Sequence, residues 1–140
     1  MALTQIATNV FKTGMMSGTY NFNTNTFKIA LYTANATLDA LTNTYITANE
    51  VVAPGYTAGG QTLTVNVTPT TGSSGTVAYI SFANVSWAAA LTARGALIYD
   101  VTNSNNTVCV LDFGADKTST NTFTVQFPAA TNTAAIIRLT

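Results

Sequence analysis

The chain has 140 residues, of which five are Lys or Arg, five are Asp or Glu and none is His, so its net charge is zero. An ordinary domain of this length carries about 35 charged groups, whereas here ten charges are spread over a folded surface of roughly 7,000 Å², with threonine at about one residue in five filling the gap. That balance argues against a nucleic-acid surface, which needs clustered Lys and Arg, excludes Ser–His–Asp and Cys–His nucleophiles, and favours self-association as a dimer or trimer.

In chain order, residues 1–26 open with no basic region and no apolar block of signal-peptide length. They read as an extended arm or as edge strands, with residues 8–13 and 19–22 as short strand candidates. Residues 27–32 alternate so that Phe27, Ile29 and Leu31 share one face of a strand. Residues 37–41 are the one helix candidate. Pro54-Gly55 and Gly59-Gly60 mark turns. Residues 63–68 set Leu63, Val65 and Val67 against Thr64, Asn66 and Thr68, so one face is buried and the other is wet. Residues 76–87 read as one longer strand, rich in β-branched and aromatic side chains and closing on Trp87. Residues 96–101, 108–113, 123–127 and 135–139 follow as strands, with loops over 72–75, 103–106 and 114–117. About seven to nine short strands, roughly 8–14 residues apart, imply an all-β antiparallel β-sandwich, jelly-roll-like, with at most one short helix and a single domain over residues 1–140. No apolar run approaches the length of about 18 residues that a membrane span needs.

The chemistry-bearing residues are few. Asp100 and Asp112 fall on adjacent strands and are the nearest thing to the carboxylate pair of a glycosidase. Asp112 and Asp116 flank Gly114 without the spacing of a calcium-binding EF-hand loop, and a turn role is expected of them. The stretch around Gly59-Gly60 lacks the Gly-Lys-Ser/Thr of a phosphate loop. The expectation is therefore a non-enzyme with no catalytic residues, no cofactor and no metal. The lone Cys109 sits in an apolar run and reads as a buried, inert thiol. Trp87 reads as a core or interface anchor. Arg94, beside Gly95, needs an assigned partner, within the chain or across an interface. The uncharged residues 2–11 carry Leu3, Ile6, Val10 and Phe11, which join Trp87 and Arg94 as candidate docking residues; a strand within the chain's own fold is the alternative for this segment.

Several segments taken together carry a resemblance: Phe27-Lys28-Ile29-Ala30-Leu31-Tyr32-Thr33, Gly55-Tyr56-Thr57-Ala58-Gly59-Gly60, Ala93-Arg94-Gly95-Ala96-Leu97-Ile98-Tyr99-Asp100, Val110-Leu111-Asp112-Phe113-Gly114 and Phe123-Thr124-Val125-Gln126-Phe127-Pro128. The chain resembles small virion structural proteins of tailed bacteriophages, most closely the capsid cement, or decoration, proteins of short-tailed phages, over about residues 27–139. The resemblance implies a structural protein made in the bacterial host cytoplasm and carried on the capsid exterior, with the major capsid protein and copies of itself as partners. It brings no catalytic residues with it. Two other readings stand beside it: a tail-fibre or spike module that contacts a host receptor or glycan, and a small glycan hydrolase.

Overall fold

The structure is a computed structural model that describes residues 2–72 and 75–140. Among these residues the chain is antiparallel β-structure with one short helix. The strands are β1 (Ile6–Ala7), β2 (Phe27–Tyr32), β3 (Gln61–Thr62), β4 (Val65–Thr70), β5 (Ala78–Phe82), β6 (Val85–Trp87), β7 (Thr92–Asp100), β8 (Asn106–Thr118), β9 (Phe123–Val125) and β10 (Ile137–Leu139). They form a five-stranded sheet in the order β1-β8-β7-β2-β3, a three-stranded sheet β10-β5-β4 and a two-stranded sheet β6-β9.

The central strands β2 and β7, and β8 over residues 107–111, are buried on both faces, which a period-2 pattern with one wet face does not anticipate. Phe27, Ile29 and Leu31 do share a face, as expected, and it packs against Ile80 and Phe82 of β5, Trp87 of β6 and Phe123 and Val125 of β9. This sandwich-like core holds most of the aromatic side chains; Phe22 stacks on Phe27 with ring centres 4.7 Å apart. The opposite face, with Ala30, Tyr32, Leu97, Tyr99 and Val110, carries a second, smaller core closed by Leu3, Ala36 and Leu38. The cover over that face is irregular chain between β2 and β3.

Two of the expected strands are each split between sheets. The alternation over residues 63–68 is present, with Leu63 buried, Val65 and Val67 half-buried and Thr64, Asn66 and Thr68 exposed. However, the chain leaves the large sheet after β3 and enters the small one at β4, bridging through Leu63 N–H to Phe27 O (2.8 Å) and Ala83 N–H to Thr64 O (2.8 Å). Residues 76–87 likewise divide into β5 and β6 at Ala83-Asn84, where the chain passes to a different partner strand. The expected loop over residues 114–117 is instead part of β8. Between the pairs Ala93↔Lys117 and Gly95↔Asp112, Arg94 alone opposes residues 113–116, a bulge that Gly114 permits at φ 83°. Of the loop over 72–75, Ser73 and Ser74 lie outside the described residues.

The helix is not where the sequence pattern put it. Residues 37–41 form a turn in which Leu38 bridges to Leu3. The strand expected over residues 8–13 is largely α1 (Asn9–Ser17), and residues 19–22 form no strand. Nine residues are too few for a helix to be stable alone in water; α1 is held by Phe11, which packs edge-on against Tyr20 (4.9 Å), and by Gly14, where a Cβ would collide with the Tyr20 ring. Gly18 closes it in the left-handed region at φ 77°. No helix of the described residues is long and apolar enough to cross a membrane.

Candidate functional site

Four of the five Asp and Glu carboxylates are hydrogen-bonded within the chain. Glu50 is only 6% exposed. Its carboxylate accepts from the hydroxyls of Tyr45 (2.6 Å) and Tyr56 (2.6 Å) and from the Gly59 N–H (2.7 Å). The Tyr56 oxygen in turn accepts the Leu31 N–H at 2.9 Å, and Tyr99 donates to Gly59 O at 2.6 Å. This network fastens the irregular cover to β2 and β7. Burial, reinforced by the nearby Glu50 charge, pushes the hydroxyls of Tyr32, Tyr45 and Tyr56 well above the ordinary tyrosine value, and Tyr99 up to about 12. A carboxylate so enclosed organises loops. Sequence reasoning missed it because its three donors lie in irregular chain without periodicity, and only the cluster of Tyr45, Tyr56 and Gly59-Gly60 around Glu50 hinted at it.

Asp100, fully buried, accepts from Asn25 Nδ2 (2.7 Å), Asn103 Nδ2 (2.7 Å) and the Thr102 N–H (3.0 Å), so it ties the β7–β8 turn to the loop before β2. Its charge, after burial itself, raises Tyr20 to about 12. Asp39 accepts from the Leu41 N–H at 2.8 Å in the turn that replaces the expected helix. Asp112 accepts from the Gly114 N–H (2.9 Å) and from Arg94 Nε (3.1 Å), which hold its carboxyl below the usual carboxylate range. The Asx-type turn expected of Asp112 is therefore present, and Arg94 has its partner within the chain. Asp100 and Asp112 do not meet: Asp100 pairs with Asn106 at the turn end of the hairpin, whereas Asp112 lies opposite Gly95 across the bulge.

Burial also corrects the docking set. Leu3 (9% exposed) and Trp87 (2%) are consumed by the chain's own cores, Trp87 between Tyr56 and Phe123, while Phe11 (5%) packs on Tyr20 and Phe22 and also lines the groove described below. Ile6, Val10 and Arg94 are half-buried. Residues 1–26 are not a free arm where they are described. Leu38 N–H donates to Ala2 O (3.0 Å), Thr4 N–H to Leu38 O (2.9 Å), and β1 pairs with β8. Thr8 reaches the carbonyl oxygens of Thr107 and Val108 through its side chain.

What the N-terminal segment does build is one wall of a groove. Between β1 with α1 on one side and β10 on the other lies an apolar cavity of about 650 Å³, floored by Cys109 and Leu111 of β8. Ile6, Met15 and Ile137 line its sides; Met16 (83% exposed) and Leu139 (52%) stand at its rim. Cys109 is reduced and buried, its thiol pushed up to about 12 by that burial. Among the described residues, no three His, Cys, Asp or Glu side chains gather as metal ligands would. No family model matches the chain, and neither does any curated protein or solved structure.

Proposed function

We propose that this chain is a structural protein of a tailed-bacteriophage virion, a jelly-roll-like cement protein that docks on the outside of the head shell and stabilises it, working as a homodimer or homotrimer. The observation that carries this reading is the surface. Ten side chains charged at neutral pH serve 6,964 Å². Four of the five acids are hydrogen-bonded internally, while Met16, Leu41, Val52 and Leu139 stand more than half exposed. A protein with so little charge and such apolar outcrops suits a life packed against other protein. On a symmetric shell, weak neutral contacts repeat many times, and multivalency supplies affinity that no single contact has. Such docking rests on apolar packing and hydrogen bonds and survives moderate salt. The bound protein stabilises the shell by mass action, as any ligand of an assembled state does.

The test is to prepare capsids without this protein, add the purified chain and follow co-sedimentation, then compare resistance to heat and osmotic shock. The expected result is saturable decoration and tougher capsids. Unchanged resistance in capsids lacking the protein would overturn the reading. Labelled antibody seen on tails rather than heads would replace it with the fibre-module alternative.

A further inference from the structure

The groove between α1 and β10 combines an apolar lining with positive charge. Two of the chain's five cations, Lys12 and Arg138, line it, and no Asp or Glu does. Both side chains are exposed. The one ion pair among the described residues is Arg94–Asp112, so neither groove cation is neutralised by the chain itself. Arg138 gives a single N–H to Thr133 O at 2.7 Å, and its remaining guanidinium donors are suited to a carboxylate. Beneath the two cations lies an apolar floor. Met15 and Met16 flank it, and methionine is the side chain that adapts most readily to an incoming apolar surface.

We infer that this groove is the docking site for an apolar peptide segment bearing one or two carboxylates, contributed by the shell protein. The inference rests on the cement reading for the identity of that partner; the chemistry of the segment comes from the groove. A small amphiphile of the same chemistry fits less well. A ligand site of this volume ordinarily encloses most of its occupant, whereas here the rim residues Met16 and Leu139 remain open to solvent. Only a segment backed by its own protein would cover them. Docking there seals the apolar rim, satisfies the unpaired cations and rests on Ile6, the half-buried member of the N-terminal set that lines the groove.

The experiment uses the full chain and capsids made without it. Two variants alter exposed positions and leave the cores intact: the charge reversal K12E/R138E and the single substitution M16E. A third, K12R/R138K, keeps both charges. Folding is checked by the urea midpoint and circular dichroism. The expected result is decoration weakened at least tenfold by K12E/R138E and by M16E, and retained by K12R/R138K. Folded K12E/R138E and M16E that decorate like wild type would overturn the groove as docking site while leaving the cement reading standing. A wild-type chain that fails to decorate at all would overturn the cement reading and the shell as occupant with it. Variants that decorate normally but lose self-association in sedimentation would assign the groove to a second copy of this chain, and the inference would fall. If K12E/R138E does not fold, M16E, at a site 83% exposed, decides alone.

Discussion

Gly95 has an ordinary backbone angle, and its constraint is spatial: a Cβ there would run into Leu3 Cδ2 and the Leu111 carbonyl. Gly95→Ala should therefore cost about 1–3 kcal/mol, as overpacking does, and a lowered urea midpoint would register it. Glu50 is the opposite case, a polar group that others depend on. Glu50→Ala leaves the Tyr45 and Tyr56 hydroxyls and the Gly59 N–H without their acceptor, and each orphaned buried group costs roughly 1–3 kcal/mol; the expected loss is about 3 kcal/mol or more, with Glu50→Gln milder because one oxygen remains. On β4, Val65→Asp should destabilise by about 2 kcal/mol, while Thr64→Asp stays near neutral. Equal urea midpoints for those two variants would refute the assigned face. At this scale the sequence was readable wherever one strand's own pattern decided the outcome, as for Phe27, Ile29 and Leu31 or for Leu63 and Thr64. It was silent on Gly95, whose role depends on Leu3 and Leu111 brought in from elsewhere in the chain, and only hinted at Glu50, whose nearby donors converge through an irregular loop that carries no periodic pattern.

Among the elements, α1 was the least legible. Its Thr8 N-cap makes no capping hydrogen bond, its first turn has no acid, and Val10, Phe11 and Thr13 favour a strand as much as a helix. Packing of Phe11 on Tyr20 and Phe22 overrides that local preference. Phe11→Ala should consequently cost about 3–5 kcal/mol and lower the helical signal in circular dichroism, since Phe11 is the large buried side chain that seats this short helix on the core. The split strands have a different cause. Periodicity reports which face a residue occupies and carries no mark of the point where a strand changes partners, so the sheet switches at Leu63-Thr64 and Ala83-Asn84 left the alternation intact. Gly114 did signal irregular backbone; a loop and a wide bulge call for the same left-handed glycine, and only the far half of β8, pairing again with β7 at Lys117 and Thr118, distinguishes them.

Taken whole, the molecule has no histidine, so no histidine titration perturbs its stability near neutrality. Cys109, raised by burial from 9.0 to about 12, and five tyrosines set the alkaline limit. The folded pKa values of Tyr20, Tyr32, Tyr45, Tyr56 and Tyr99 lie above the unfolded value of 10.0. The stability they confer is fully present below about pH 10 and is lost as the pH rises toward the folded values, because the unfolded chain ionises first. Tyr32 (0% exposed) and Tyr56 (9%) should each contribute up to about 1.4 kcal/mol per pH unit in that range. Asp112, held below 3.8, adds stability above that pH that is lost as the pH falls through its folded value, a minor effect for an exposed pair. Urea titrations across the pH range should give a broad plateau with a steep alkaline edge; a gradual decline beginning at neutral pH would contradict this account.

The pairing of β1 with β8 also sets an order in time. Ile6 meets Val110, so a ribosome that has delivered the first strand must add 104 more residues before its partner exists. At about 5–20 residues per second, Leu3 and Phe11 wait roughly 5–20 s with no finished core to enter. Contacts this distant in sequence are also the slow ones to form. The nascent chain therefore carries an apolar N-terminal segment whose sheet partner is made late, which makes aggregation during synthesis a hazard in producing this protein at high level.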